Sequence, residues 1–349
     1  MKHQRLISLE AGRFVAALAV MLYHFTDLIL KFRGEAPLDW SFRAGHAGVE
    51  YFFVLSGFII YSVHRRDLGF PGALSRFALK RMLRIYPPFI LATLAMLTVY
   101  ALVPSLAEGK ALGWERVADI LLLPMQSPAT LGVSWSLRHE MVFYAIFGVA
   151  IALGARGMRV LIAWQVMVVA AIPFFDLSEG GTPLTAVLGP FNLGFGMGML
   201  TAWGAERLEK PFRALAAGVA ALLTLACTEW WIGRDLPISV APLGPLVTPL
   251  CYSVAAALIV AGLIGWERAG GTFRHERMWT LLGGSSYLLY LLHGMVGSVL
   301  IRIVPASVPP AATLCLLCVT AVLVAVLAHR LVEAPFLRWS AARLATHRA

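Results

Sequence analysis

The chain runs to 349 residues, 59% of them hydrophobic and 14% charged, with a mean hydropathy of +0.76 and a formal net charge of +10. Water-soluble domains carry about a quarter of their residues as Asp, Glu, Lys and Arg, so the composition excludes an ordinary soluble fold and fits a membrane protein. The positive balance reads as a topological signal and as attraction to anionic lipid, and it does not indicate a nucleic-acid partner.

Apolar runs near the length that crosses a bilayer, about 20 residues, fall at 9–30, 48–63, 86–104, 134–154, 160–176, 186–204, 214–232, 244–265, 279–302 and 310–332. No stretch is left over for a soluble domain. Residues 1–349 are therefore expected to form one all-α polytopic membrane helical bundle of about ten helices, with no appended soluble domain. The first run follows Lys2 and Arg5 as a secretory signal would, but it is long, holds Arg13 and His24, and lacks a small-residue cleavage site. It is expected to remain as a helix.

With the amino terminus cytoplasmic, the inner segments hold Lys2 and Arg5, then Arg65, Arg66, Arg76, Lys80, Arg81 and Arg84, then Arg156 and Arg159. Further along they hold Arg207, Lys210 and Arg213, then Arg268, Arg274 and Arg277, and last Arg330, Arg338, Arg343 and Arg348. The outer segments hold the smaller set Lys31, Arg33, Arg43, Lys110, Arg116, Arg234 and Arg302. The positive-inside rule thus places both termini in the cytoplasm.

Arg13 and His24 return to one face of the first helix after about three turns. Ionisable groups are costly in hydrocarbon, so such a stripe is expected to face the bundle interior or a water-filled cavity and to have a function there. Next comes a basic segment, His64-Arg65-Arg66-Asp67 and then Ser75 to Pro88. In it Arg76, Lys80, Arg81 and Arg84 are placed to share a face of a short amphipathic helix. Clustered guanidiniums suit phosphate recognition, and plain anchoring at the membrane surface is the competing reading.

Other features read as structural. Gly194, Gly196 and Gly198 follow no strand and lie in an apolar helix, where small residues allow close packing. Cys227, Cys251, Cys315 and Cys318 are expected as buried thiols, and Cys315 with Cys318 lacks the second ligand pair of a zinc site. No metal is expected. There is no evident internal repeat or pair of inverted broken spans.

Several segments then carry a resemblance. Arg13 with His24, the block Gly48-Val49-Glu50-Tyr51-Phe52-Phe53-Val54-Leu55-Ser56-Gly57-Phe58 and the pair Arg81-Met82-Leu83-Arg84 come first. Ser134-Trp135-Ser136-Leu137-Arg138-His139-Glu140 with Phe143-Tyr144 follows, then Ser286-Tyr287-Leu288-Leu289-Tyr290-Leu291-Leu292-His293 and the closing turn Glu333-Ala334-Pro335-Phe336. In this order they resemble the motifs of the acyltransferase-3 family of integral membrane O-acyltransferases. His139 departs from the family's pattern.

The resemblance implies transfer of an acyl group, commonly acetyl, from a cytoplasmic acyl-CoA to a hydroxyl of an envelope or exported carbohydrate, in the bacterial inner membrane. A small secreted metabolite or a lipid is the alternative acceptor. Arg81, Arg84, Arg76, Lys80, Arg65 and Arg66 are expected to bind the CoA phosphates. His24 is expected to be the general base, because a neutral imidazole suits that role near pH 7. Glu50 or Glu140 would orient it, and Arg13 would polarise the thioester carbonyl or hold the donor. His293, Arg138 and Trp135 are expected on the acceptor side, with His24, Glu50, Arg138, Glu140 and His293 at one level.

Direct transfer and an acyl-enzyme both fit. The alternative for His24 is a satisfied interhelical hydrogen bond, for His293 a core position, and for Glu333 a pair with Arg330 or a cap at Pro335. Trp40, His46, Trp114, Trp230 and Trp231 could stack on sugar rings or form an interfacial belt. The expected partners are the carbohydrate acceptor, acyl-CoA, the bilayer and polysaccharide synthesis or export machinery. A second function class, a transporter or flippase for a polar glycan or lipid-linked intermediate, would use the same ionisable groups to couple protons.

Overall fold

Helix α1 (Ile7–Arg33) begins without a capping side chain of its own, since Leu6 is its N-cap. Its orphan N–H groups are met from across the fold: Ile7 and Ser8 donate to the Glu267 carboxylate at 2.8 and 2.9 Å. A carboxylate at a helix start also opposes the positive end of the dipole. In this computed structural model, residues 6–107, 113, 115–124, 129–174, 182–233, 236 and 242–346 are described. Lys2, Arg5, Lys110, Trp114, Arg234 and Arg348 lie outside them.

The remaining helices are α2 (Gly48–His64), α3 (Ala73–Leu102), α4 (Glu115–Ile120), α5 (Ser134–Leu153), α6 (Gly157–Ala171), α7 (Pro183–Leu188), α8 (Leu193–Gly204), α9 (Pro211–Gly233), α10 (Val247–Arg268), α11 (Glu276–Ile303), α12 (Pro310–Ala328) and α13 (Ala334–Thr346). The fold is all-α, and the described residues contain no strand. Nine helical segments among them are long and apolar enough to cross a membrane. One of these, 134–171, folds back on itself: Gly154 takes φ 58°, and the rings of Phe143 on α5 and Trp164 on α6 stack with centroids 6.1 Å apart. The apolar run expected at 134–154 and the described part of that expected at 160–176 are therefore an antiparallel pair; residues 175 and 176 lie outside the described residues.

Three boundaries differ from expectation. The basic segment is not a separate short helix, because α3 runs unbroken from Ala73 through Pro87 and Pro88 to Leu102. Tandem prolines remove two backbone donors. Beside them the Tyr287 hydroxyl donates to the Ile85 carbonyl at 3.0 Å.

The run at 186–204 is broken, with α7 ending at Gly189 and a 3₁₀ turn at Pro190–Asn192 before α8. The expected turn at Glu333-Ala334-Pro335-Phe336 is instead helical. A π-helical segment, His329–Glu333, joins α12 to α13. Its wider winding takes up the bond that Pro335 cannot make.

The strongest packing pairs α1 with α11, α9 with α10, and α2 with α8. The last depends on glycine. A Cβ on Gly198 would collide with the Val54 carbonyl, and one on Gly57 with that of Phe195. Around this seam lies an aromatic core in which Phe143 stacks on Phe195 at 4.4 Å and Phe53 meets Phe195 at 4.7 Å. The cysteines are free, but Cys227 and Cys315 face outward rather than into the core. A thiol costs little on an apolar, lipid-facing surface.

Candidate active site

A cavity of about 700 Å³ opens among α1, α2, α3, α5, α11 and α13. One end of it, here the basic end, carries Lys80, Arg81 and Arg84 from the first turns of α3, with Arg13 of α1 in the same wall. The Arg84 Nη1 group donates to Glu333 Oε1 at 2.9 Å, and the other carboxylate oxygen pairs with His329 Nδ1 at 2.8 Å. Glu333 therefore pairs with Arg84 and His329, and not with Arg330 or as a cap. The π segment places His329 and Glu333 on one side, facing α3 and α11.

Arg84 also lies over the Tyr287 ring at 5.9 Å, and Arg81 lies 6.0 Å from the rings of both Phe77 and Tyr144. Aromatic faces seat a guanidinium without neutralising it. Arg81 and Lys80 have no carboxylate partner among the described residues, and Arg13 has a long pair to Glu10 at 3.8 Å. Arg65, Arg66 and Arg76 are outside the cavity wall, with Arg76 exposed and turned to the Pro71 carbonyl at 3.5 Å. The basic segment thus divides into a cavity-facing set and a surface set.

Further in, Glu140 accepts from the Ser56 hydroxyl at 3.0 Å and the Tyr144 hydroxyl at 2.5 Å. Ser56 sits six residues, about 9 Å, beyond Glu50 along α2. Glu140 is consequently not level with Glu50 and does not reach His24. Beyond it the hydroxyls of Ser136 and Tyr290 are 2.7 Å apart, and both side chains line the cavity.

His24 and His293 come together next, with ring centroids 5.3 Å apart. The Nδ1–H group of His293 donates to the Leu289 carbonyl at 3.1 Å, which leaves Nε2 as the acceptor of a neutral ring. The Tyr290 ring is 6.1 Å from that of His293. Neither histidine is in the cavity wall, so Tyr290, one helical turn before His293, stands between the cavity and the histidine pair. Among the described residues no carboxylate hydrogen-bonds to His24, and the expected orienting role of Glu50 or Glu140 has no such contact behind it.

The remaining expected residues are separately engaged. Glu50 is buried and interacts electrostatically with His46 and Glu229. His46 Nε2 pairs with Glu229 Oε2 at 3.0 Å, and Arg43 donates to the carbonyls of Gly233 and Leu236. Arg138 pairs with Asp119 at 3.1 Å, and the same carboxylate accepts from the Thr130 N–H at 2.6 Å. Arg138 and Glu140 thus point into different surroundings, as two residues only two apart on a helix must. Trp135 packs on Phe191 at 4.9 Å, while His139 pairs with Asn192 at 3.2 Å and belongs to the core.

Sequence reasoning passed over Tyr290, Ser136, Ser56, Tyr144 and the Asp119 partner of Arg138. Tyr290 had a signal, since it lies three residues before His293 and so on the same helix face. Among the described residues no group of three or more His, Cys, Asp or Glu side chains is placed to hold a metal.

The arrangement joins a cation-lined cavity to a histidine pair, and the family comparison agrees with the ordered motifs. The acyltransferase-domain model of the acyltransferase-3 family matches residues 6–330. The chain belongs to this family. It is therefore an acyltransferase with a multi-helix membrane fold. It is 29% identical over 324 residues to the exopolysaccharide production protein ExoZ of Rhizobium meliloti (strain 1021), covering 90% of this chain and 96% of that protein. It is 28% identical over 195 residues to protein 2 in the picA locus of Rhizobium radiobacter, covering 49% and 97%. No solved structure matches.

Proposed function

We propose that the protein is an O-acyltransferase of the bacterial inner membrane that moves an acyl group, acetyl in the first instance, from cytoplasmic acyl-CoA to a hydroxyl of an exported or envelope polysaccharide. The observation that carries this reading is the cavity leading from Lys80, Arg81 and Arg84 to Tyr290, whose ring adjoins that of His293, which in turn lies against His24. Its basic end is taken as cytoplasmic, in accord with the positive-inside bias. The nucleotide phosphates bind at Arg81, Arg84 and Lys80, where at least two cations keep their charge unpaired, and Arg13 helps hold the donor.

Depth supports the fit. The level of Tyr287, beside Ile85, is about 9 Å along α11 from His293, and an extended pantetheine arm spans on the order of half a bilayer, roughly 15 Å. The acceptor hydroxyl attacks the thioester carbonyl while His24 takes its proton. The new C–O bond forms, the C–S bond breaks, and the thiolate leaves to be protonated as CoA. A carbohydrate acceptor is supported by the relative named for exopolysaccharide production. Synthesis or export machinery is the expected partner.

The test is transfer of labelled acetyl from acetyl-CoA to extracted exopolysaccharide by the purified protein in lipid nanodiscs. Label in the polysaccharide is the expected result. A correctly inserted protein that binds no acetyl-CoA would overturn the donor assignment, and label found only in lipid or small metabolites would overturn the acceptor.

A further inference from the structure

We infer that Tyr290, seated by Ser136, is the hydrogen-bond donor to the thioester carbonyl oxygen and stabilises the oxyanion as it forms. This rests on the donor and base assignments proposed above. It removes Arg13 from the carbonyl.

Distance makes the choice. In the reacting complex the attacking oxygen must lie within hydrogen-bond reach of His24 and about 3–3.5 Å from the carbonyl carbon. The carbonyl oxygen is therefore near the His24 level. Arg13 is eleven residues earlier on α1, about 16 Å along the axis, farther than an arginine side chain spans. It sits instead near Arg84, Glu333 and Glu140, with which it interacts electrostatically. Tyr290 is only three residues, about 4.5 Å, before His293, whose ring lies against that of His24. It is also in the cavity wall, where the acyl end of the donor would arrive.

The local hydrogen bonding leaves the tyrosine proton available. Ser136 Oγ can donate to the Val133 carbonyl at 3.1 Å, and the Tyr290 hydroxyl is 2.7 Å from Ser136 Oγ and 3.2 Å from the same carbonyl. With Ser136 donating to Val133, the Tyr290 proton rests on Ser136. A developing oxyanion then takes that proton's hydrogen bond, and the Ser136 donor and the Val133 acceptor remain paired. No buried donor is orphaned at any point. The donor is preorganised in a desolvated wall, the setting in which such a bond is strongest.

As the acceptor oxygen adds to the carbonyl carbon, the C=O π pair moves onto the carbonyl oxygen, which receives the Tyr290 O–H hydrogen bond. The pair returns as the C–S bond breaks, and Tyr290 keeps its proton throughout. It acts by hydrogen bonding and is neither oxidised nor acylated.

The experiment compares wild type with Tyr290→Phe and Ser136→Ala in nanodiscs, with three readings: kcat, the dissociation constant of acetyl-CoA, and the infrared carbonyl stretch of bound acetyl-CoA labelled with carbon-13 at the carbonyl. Tyr290→Phe is expected to lower kcat on the order of 10²-fold with acetyl-CoA affinity held within about threefold. The labelled stretch should move up toward its value in a non-hydrogen-bonded setting. Ser136→Ala should lower kcat less, because it removes only the seat of the donor.

Unchanged kcat and an unshifted carbonyl band in folded, CoA-binding Tyr290→Phe would overturn the assignment. So would a larger loss in Ser136→Ala than in Tyr290→Phe. Wild-type protein that binds no acetyl-CoA would bring down this inference together with the donor reading, whereas normal wild-type turnover with a normal Tyr290→Phe would bring down this inference alone.

Discussion

The two ends of the bundle handle charge in opposite ways. At the end bearing the start of α2, buried charges are closed into pairs, His46 with Glu229, Arg138 with Asp119, and Arg43 with two carbonyls, and Glu50 beside them is buried with one carboxylate oxygen that accepts no hydrogen bond among the described residues. Glu229 and Asp119 have side-chain exposures of 0% and 1%. At the basic end Arg84 keeps 27% exposure although its partner Glu333 has 1%, and Lys80 and Arg81 face the cavity with no carboxylate matched to them among the described residues. Closed pairs hold helices together. Cations left facing a cavity are ready for an anion that comes from outside.

The sharpest way to break this contrast is at the histidine pair, which lies between the two regimes. His24→Ala should lower acetyl transfer about 10²–10⁴-fold while acetyl-CoA binding stays near wild type, read by turnover beside equilibrium binding. Equal loss of binding and turnover would move His24 into the donor site. Next, Asp119→Ala removes the buried carboxylate that pairs with Arg138 and accepts from the Thr130 N–H. It should cost roughly 3–5 kcal/mol of stability, seen as a lower unfolding midpoint in detergent, with no selective change in acetyl-CoA affinity in whatever protein remains folded.

Arg81→Ala combined with Arg84→Ala should do the reverse, weakening acetyl-CoA binding about 10–100-fold through loss of two charge-assisted contacts with a smaller effect on the unfolding midpoint. If binding persisted, the cavity would not be the donor site. The smallest expected effect belongs to packing rather than charge. Gly198→Ala sets a methyl against the Val54 carbonyl, and overpacking of this kind costs about 1–3 kcal/mol, so the midpoint should fall while acetyl-CoA affinity per folded molecule holds.

Much of the fold could be seen in the sequence because a membrane helix is a local property of its residues. Composition alone locates the apolar runs, and it separates the run at 134–154 from the one that begins at 160 although the connection is only a few residues around Gly154. The end of one run and the beginning of the next basic segment were less legible. α3 continues through Pro87 and Pro88, where local propensity argues for a break, because its neighbours bury the helix on both sides of the prolines.

Side-chain partners were harder still. Arg84 and Glu333 are 249 residues apart, and His46 and Glu229 are 183 apart. Periodicity indicates which face a residue occupies and says nothing of which helix lies opposite. For that reason Glu140 was set beside His24, whereas α5 presents it to Ser56 and Tyr144. The grouping of His24 with His293 was half visible, as two polar residues at one depth, and their contact depended on α1 lying along α11.

The π-helical segment at His329–Glu333 gives the last stretch of the chain a phase of its own. With nearly one residue more per turn than an α-helix, it holds the face of everything after it back by roughly 100° from where α winding of the same residues would put it. Leu323, Leu327 and Leu331 look outward before and within it, yet Leu337, Ser340 and Ala341 close the basic end of the cavity after it. A single continuous rod thus begins as a membrane wall and finishes as the floor of a doorway. Its change of allegiance is written in the winding between Ala328 and Ala334: wound as an ordinary α-helix, the same residues would turn the doorway's floor roughly 100° away from the cavity.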